Sequence, residues 1–172
     1  MESAVKSVRP TESLDFKQAM RAVVASVNVI TCCHDGEHYG LTATAFSSVC
    51  AEPPTVLICV NESASACERI RLSRQFCVNV LAPGMEELAA AFAGRIAPEK
   101  RFAEGHWRTL ESGNLMVEGC AAVFDCEVKT VFQEGSHWVV VGVVRQCEYA
   151  PTPALVYANG KYGRFETAAV GA

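Results

Sequence analysis

Residues 27–45 read VNVITCCHDGEHYGLTATA, and this stretch decides the fold. Its first part, Val27 to Cys33, is rich in β-branched residues, which favours an extended strand. The pair Asp35-Gly36 suits a tight hairpin turn, because both residues tolerate a left-handed backbone. A second strand from Tyr39 to Ala45 completes the pattern, so the stretch predicts an antiparallel β-hairpin.

Helical periodicity is confined to a few segments outside this hairpin. Leu14 to Ala25 carries apolar side chains at helical spacing, with Ser13 or Asp15 as its N-cap. Ser63 to Leu72 has similar spacing, with charges between its apolar positions. Met85 to Ala93 has the composition of a short third helix.

Strand patterns dominate the rest of the chain. The apolar run Thr55 to Val60 predicts a strand buried on both faces. Further strands are predicted at Gln75–Leu81, Ala121–Val131, His137–Val144, Leu155–Tyr157 and Lys161–Phe165. Since strands and helices do not alternate regularly, we expect a mainly β protein, an antiparallel barrel with flanking helices. It should form a single domain over residues 1–172, with 1–12 and 168–172 as flexible tails.

The composition narrows the classes of function. The chain has 172 residues, with 15 Lys and Arg against 19 Asp and Glu, and a formal net charge of -4. This acidic balance, with only the small basic cluster Arg69, Arg71 and Arg74, argues against nucleic acid or an anionic membrane surface as a partner. No apolar run approaches the roughly 20 residues of a membrane helix, and the segment before Pro10 lacks a signal-peptide core. We therefore expect a cytoplasmic protein.

The nine cysteines are expected to be structural. Their number is odd, and most lie in apolar runs, which is typical of reduced core residues. No Cys-x-x-Cys pair occurs, and the adjacent Cys32 and Cys33 should point to opposite faces of a strand. We therefore expect no metal site.

Three segments combine small, polar or titratable residues at predicted strand ends. The run from Gly40 to Ser48 would let a flat heterocycle approach the backbone. The run from Asn61 to Ser65 precedes a helix whose amides could bind phosphate, and His137 opens an apolar strand. Taken alone, these features favour the structural explanations, which are a Thr/Ser-rich strand end, a serine helix cap and a histidine that only packs in the fold.

The order of motifs along the chain resembles the short-chain flavin reductases of the FMN-binding split-barrel fold. This family includes the reductase components of two-component aromatic hydroxylases such as 4-hydroxyphenylacetate 3-monooxygenase. The resemblance runs through FKQAMR (16–21), SVNVIT (26–31), GLTATA (40–45), PPTVLICVN (53–61), FCVNVL (76–81), FAG (92–94), KRF (100–102), GSH (135–137) and LVY (155–157). No one of these motifs is specific, but their ordered set is.

The resemblance implies roles for individual residues. Those expected to line the flavin ring are Thr42, Ala43, Thr44, Ala45 and Phe46, with Ser47 and Ser48 close by. Those expected to receive the flavin phosphate are Asn61, Ser63 and Ser65. The pair Arg101-Phe102 should close over the flavin, and His137 should meet the nicotinamide nucleotide. Many relatives have Gly-Asp-His where this chain has Gly135-Ser136-His137, which leaves the role of Ser136 open.

The implied activity is an NAD(P)H:flavin oxidoreductase that supplies reduced flavin by diffusion to a monooxygenase. The flavin would be FMN or FAD and the hydride donor NADH or NADPH. The basic cluster could meet the 2′-phosphate of NADPH, but we expect it to be a solvated helix face. The resemblance also implies a homodimer. The alternatives are a non-catalytic flavin- or haem-binding split barrel and, more distantly, a relative of pyridoxamine-phosphate oxidase.

Overall fold

A computed structural model describes residues 12–166 of the chain. Its helices are α1 (Ser13–Arg21), α2 (Ser65–Ser73) and α3 (Glu86–Ala90), which continues into a π-helical turn, Ala91–Arg95, followed by a 3-10 helix, Pro98–Ala103. The strands are β1 (Ala25–Ser26), β2 (Asn28–His34), β3 (Glu37–Ala43), β4 (Phe46–Ala51), β5 (Pro54–Asn61), β6 (Gln75–Val80), β7 (Trp107–Thr109), β8 (Leu115–Val117), β9 (Ala122–Glu134), β10 (His137–Tyr149), β11 (Leu155–Ala158) and β12 (Lys161–Arg164).

Seven strands form the main sheet, in the order β3-β2-β6-β9-β10-β5-β4. Its strand pairs are all antiparallel, as are those of a three-stranded sheet, β1-β11-β12, and of the pair β7-β8. This confirms the predicted mainly β, antiparallel architecture. The predicted hairpin is confirmed too, since Asp35 and Gly36 turn between β2 and β3 with φ of 52° and 79°.

The core lies inside the curved main sheet and under α2. The largest buried side chains there include Ile30, Ile58, Ile70 and Phe76. Burying each of them stabilises the fold by about 1.5–3 kcal/mol. Gly142 lets β10 pass close to Phe76, because a Cβ on this glycine would come within 2.6 Å of the ring. This close approach packs β10 against the aromatic ring that β6 contributes to the core.

A group of buried polar side chains crosses the core, and we call it the buried amide cluster. Its members are Thr31, Asn79, Asn114 and Asp125. Asn79 donates to the carbonyl of Val29 at 3.1 Å and accepts from the amide of Val117 at 2.9 Å. Asn114 donates to Asp125 at 2.8 Å. Each side chain thus joins separate strands, which offsets the cost of burying its polar atoms.

Several local predictions are wrong. The N-cap of α1 is Glu12 and that of α2 is Ala64, and neither makes a side-chain capping bond, so the predicted serine or aspartate caps do not form. The first helix ends at Arg21 instead of Ala25, since the chain enters β1 there. β5 is not buried on both faces, because its alternate residues are only half-buried. The strand β4 was not predicted.

The cysteines are free, and their burial supports a structural role for most of them. Five are buried: Cys32, Cys67, Cys77, Cys120 and Cys126. Burial raises the pKa of Cys32 and of Cys120 to about 12, so these thiols stay protonated at neutral pH. Cys50 and Cys147 are the exposed ones.

Two predictions concern the ends of the chain and its location. The predicted tails lie outside the described residues, apart from Glu12, whose carbonyl accepts a hydrogen bond from the amide of Phe16 at 3.0 Å. Within residues 12–166, no helix is long and apolar enough to cross a membrane.

Candidate functional site

Three loops meet at one end of the main sheet, because β5 lies between β4 and β10. The amide of Cys59, near the end of β5, donates to the carbonyl of Ala45 in the β3–β4 turn at 3.1 Å. On the other side of β5, Asn61 is the register partner of His137, the first residue of β10. The segments that the resemblance singled out are therefore neighbours in space. We call their polar side chains Thr44, Ser47, Asn61, Ser63 and His137 the strand-end cluster.

The β3–β4 turn forms one wall of a cleft. Thr44, Ala45 and Ser47 are exposed, while Phe46 turns inward and packs on Phe124 with ring centroids 5.5 Å apart. The cleft measures about 1020 Å³, at the upper end of the roughly 300–1,000 Å³ typical of small-molecule sites. We call it the α1 cleft, because α1 forms its opposite wall. It is lined by Phe16, Lys17, Met20, Arg21, Val23, Val24, Ala25, Ser26, Thr44, Ala45, Phe46, Ser47, Leu57, Tyr157, Ala158, Asn159 and Gly160.

The β5–α2 loop presents hydrogen-bond donors beside this turn. The Asn61 side-chain oxygen accepts from the amide of Ser63 at 2.9 Å and from its hydroxyl at 2.8 Å. Ser65 is the first residue of α2, and no side chain caps this helix. The first amides of a helix lack acceptors within the helix, so this end of α2 can donate to an anion.

The β9–β10 hairpin positions His137. Gly135 adopts φ of 56°, and the carbonyl of Ser136 accepts from the amide of Glu62 at 3.0 Å, which ties the hairpin to the β5–α2 loop. The imidazole is exposed, and its Nδ1 lies 3.1 Å from the hydroxyl of Ser136. The next residue, Trp138, stacks under the guanidinium of Arg71 at 3.7 Å and anchors the strand on α2.

Three predicted site residues make structural contacts next to the turn instead of lining the cleft. The hydroxyl of Thr42 donates to the carbonyl of Ala89 at 2.6 Å. Arg101 donates to the carbonyl of Gly40 at 3.0 Å. Phe102 packs in an aromatic cluster against Phe92, with ring centroids 5.0 Å apart. These residues brace β3 where it leads into the turn.

The remaining predicted residues lie on the two strands that the turn joins. Ala43 is half-buried, and its carbonyl accepts from the side chain of Asn28 at 3.1 Å. Ser48 is exposed on β4, and its carbonyl accepts from the hydroxyl of Ser47 at 3.2 Å. Neither residue lines the α1 cleft.

Sequence reasoning missed one wall of the cleft. Residues of α1, together with the β11–β12 turn, face Thr44 and Ser47 across it. The amphipathic pattern of α1 was visible, but it indicated a helix with a buried apolar face. In the structure none of its residues is buried, and the side chains of Phe16 and Leu14 are 58% and 67% exposed. An apolar helix face that stays exposed in the described part of the chain is a signal for a binding surface.

Two histidines of the β2–β3 hairpin stand four residues apart but do not form a metal pair. Their side chains point to opposite faces, because His34 is paired with Glu37 and His38 with Cys33. His38 contacts the carbonyl of Gly113 at 3.2 Å. Within residues 12–166, no group of three or more His, Cys, Asp or Glu residues could hold a metal ion.

The α1 cleft fits a flat, partly apolar heterocycle. Its walls carry the side chains of Phe16, Met20 and Leu57, while Thr44 and Ser47 contribute hydroxyl groups. A flavin ring has two apolar faces and a polar edge of carbonyl and nitrogen atoms, which matches this distribution. The lining residues therefore fit the flavin that the resemblance implies.

Comparison with known proteins supports this fit. Residues 20–166 match the family of flavin reductase like domains. The chain is 36% identical over 151 residues to the FMN reductase (NADH) RutF of Agrobacterium fabrum, covering 87% of each chain. It superposes with a TM-score of 0.85 on the NADH:FAD oxidoreductase SgcE6 of Streptomyces globisporus, solved with NAD and FAD fragments, at 29% identity over 94% of this chain and 98% of that one.

A further solved structure gives the same result. The nitrilotriacetate monooxygenase component B homologue from Mycobacterium thermoresistibile has a TM-score of 0.83 at 29% identity, covering 91% of this chain and 89% of that one. The fold and the match over residues 20–166 define a flavin reductase-type split barrel. The chain belongs to the flavin reductase like domain family.

Proposed function

We propose that the protein is an NADH-dependent flavin reductase that uses FMN and releases the reduced flavin to a separate monooxygenase. The observation that carries this proposal is the meeting of the β3–β4 turn, the β5–α2 loop and His137 at one sheet end, beside a cleft of about 1020 Å³. The names of the relatives, an FMN reductase (NADH) and a monooxygenase component, support the activity and the kind of partner.

The chain's own residues act mainly by positioning. When bound, the flavin would supply the redox chemistry, with the nicotinamide nucleotide as the hydride donor. Thr44 and Ser47 would offer their hydroxyl groups to the polar edge of a bound ring, the Ser47 hydroxyl exchanging its bond to the Ser48 carbonyl, and the half-buried Phe46 fixes the turn that carries them. Such donors favour the negative charge that develops on a reduced ring.

The other strand-end residues bind the nucleotide parts that do not react. Asn61, Ser63 and Ser65 lie at the uncapped start of α2, which suits the flavin phosphate. His137 is exposed beside them and docks the nicotinamide nucleotide through its imidazole. Arg101 supports the site through its bond to the carbonyl of Gly40 on β3, and Phe102 through its packing against Phe92.

The arginines near α2 favour NADH over NADPH as the donor. Arg69 lies over the ring of Tyr39 at 5.4 Å, and Arg71 lies over that of Trp138 at 3.7 Å. Arg74 donates to backbone carbonyls of β9. Because each guanidinium is engaged at a different place, the three do not form a common pocket for a 2′-phosphate.

The homodimer that the resemblance implies also belongs to this proposal. Apolar side chains are exposed on α1, on β4 at Val49 and on β9 at Phe132, the last two 50% exposed each. The outer faces of β5 and β10 are only half-buried. A second copy of the chain would bury these surfaces, and sedimentation at several concentrations tests for it.

A steady-state assay tests the activity. Aerobic NADH oxidation should depend on added FMN, and FAD or NADPH in place of FMN or NADH should lower the catalytic efficiency. The purified protein should bind oxidised flavin reversibly and contain far less than about one zinc or iron per chain. Tight retention of flavin or haem without NADH turnover would instead identify a non-catalytic binding module.

A further inference from the structure

The lining of the α1 cleft, as far as the structure describes it, carries positive charge and no negative charge. Among the described residues that line it, Lys17 and Arg21 are charged, and none is Asp or Glu. Neither cation makes an ion pair or a side-chain hydrogen bond with any described residue. Unpaired cations in a cleft raise the local concentration of anionic ligands.

The two cations share one face of α1, because they are four residues apart on the helix. The end of this helix is tied to the β11–β12 turn, since the amide of Asn159 donates to the carbonyl of Arg21 at 2.6 Å. The guanidinium of Arg21 lies over Gly160, where a Cβ would come within 3.2 Å of its Nη2 atom. Arg21 is therefore placed at the cleft wall that faces Thr44 and Ser47.

The proposed reaction brings the phosphate groups of two nucleotides to this sheet end. FMN carries a phosphate and NADH a pyrophosphate, while the loop offers only neutral donors from Asn61, Ser63 and the start of α2. We infer that Lys17 and Arg21 form a second phosphate-binding subsite, which holds the pyrophosphate of NADH or, if the β5–α2 loop takes that pyrophosphate instead, the phosphate of FMN. This inference rests on the proposed function, and it assigns to α1 a direct part in ligand binding.

The test compares ligands that differ only in phosphate. The Lys17→Gln and Arg21→Gln variants, alone and together, are titrated with FMN and with riboflavin, following the quenching of flavin fluorescence. If the subsite holds the flavin phosphate, the dissociation constant for FMN rises on the order of tenfold per variant, since a charge-assisted hydrogen bond is lost. The constant for riboflavin should change less than about twofold.

A second experiment tests whether the subsite binds the pyrophosphate of NADH. With riboflavin as the acceptor, a rise in the Michaelis constant for NADH in the same variants, with FMN affinity unchanged, assigns the subsite to the pyrophosphate. The matched control is Lys129→Gln, which removes a positive charge from an exposed position outside the cleft and should change neither quantity.

Two outcomes would overturn the inference. Equal weakening of FMN and riboflavin would show that α1 only packs on the ring. Unchanged FMN affinity together with an unchanged NADH Michaelis constant would show that the two cations are solvated surface residues. A wild-type protein that binds FMN but does not oxidise NADH would contradict the proposed function alone, because the FMN and riboflavin titrations do not depend on turnover.

Discussion

The buried amide cluster and the strand-end cluster are built from the same kinds of residues but differ in where their hydrogen bonds lead. In the core, Asn79 bonds to the backbone of two other strands, at 3.1 and 2.9 Å. At the strand ends, among the described residues, the side chain of Asn61 bonds to Ser63 two residues away, and the hydroxyl of Ser136 lies against the ring of the neighbouring His137. Long-range bonds hold the fold, whereas local bonds at an exposed edge leave polar atoms available to a ligand.

The two clusters should differ most in their contribution to stability, which a substitution of a buried amide side chain measures. Asn79→Ala should lower the free energy of unfolding by about 2–4 kcal/mol, because it leaves backbone groups of Val29 and Val117 without partners in the core. Urea unfolding measures this loss. The control is Asn61→Ala at the exposed strand end, which should cost less than about 0.5 kcal/mol. Equal costs for the two variants would remove the distinction between the clusters.

Removing the imidazole of His137 should instead lower the activity and leave the stability unchanged. His137→Ala should lower kcat/KM for NADH about ten- to a hundredfold, equivalent to about 1–3 kcal/mol, because a hydrogen bond that docks the nucleotide is lost. Stability and FMN affinity should stay close to wild type, since the side chain is exposed. His106→Ala, at another exposed histidine, serves as the control. Wild-type efficiency in His137→Ala would show that this residue is only part of the strand.

A substitution of Cys32 and Cys33 tests whether a change in the core lowers stability without lowering activity. Changing Cys32 and Cys33 together to Ser should destabilise the protein by about 1–3 kcal/mol, because a hydroxyl replaces the buried thiol of Cys32. Flavin reduction by the folded variant should remain close to wild type, since the raised pKa keeps that thiol protonated and unreactive. Loss of turnover without loss of structure would give the thiols a role in the reaction.

The long, regular elements could be predicted from the sequence, and the exposed or irregular ones could not. The hairpin at Asp35-Gly36 and the strands β9 and β10 were found because turn residues and apolar periodicity agree there. β4 escaped prediction because its residues are exposed or half-buried and include few β-branched side chains. The bond from Arg101 to Gly40 spans 61 residues and leaves no local pattern.

For the site, the sequence led to one side of the cleft only. The resemblance indicated the β3–β4 turn, the β5–α2 loop and His137, which the structure brings together. It gave no role to Lys17 or Arg21, because their proximity to Thr44 depends on how α1 lies against the sheet. Periodicity identified α1 as a helix but could not show which surface its apolar face meets.

The smallest expected effect tests whether a local bond at the strand end matters at all. The hydroxyl of Ser136 lies 3.1 Å from Nδ1 of His137, and a bond there orients the ring and fixes which nitrogen carries the proton. Ser136→Ala should raise the Michaelis constant for NADH about two- to fivefold, equivalent to about 0.5–1 kcal/mol, without changing stability. Ser136→Asp, which keeps a hydrogen-bond acceptor beside the ring, should recover part of this loss. Because Ser136 acts through His137, Ser136→Ala should have no further effect on the Michaelis constant in the His137→Ala background. Additive losses in the double variant would show that Ser136 contacts the nucleotide independently.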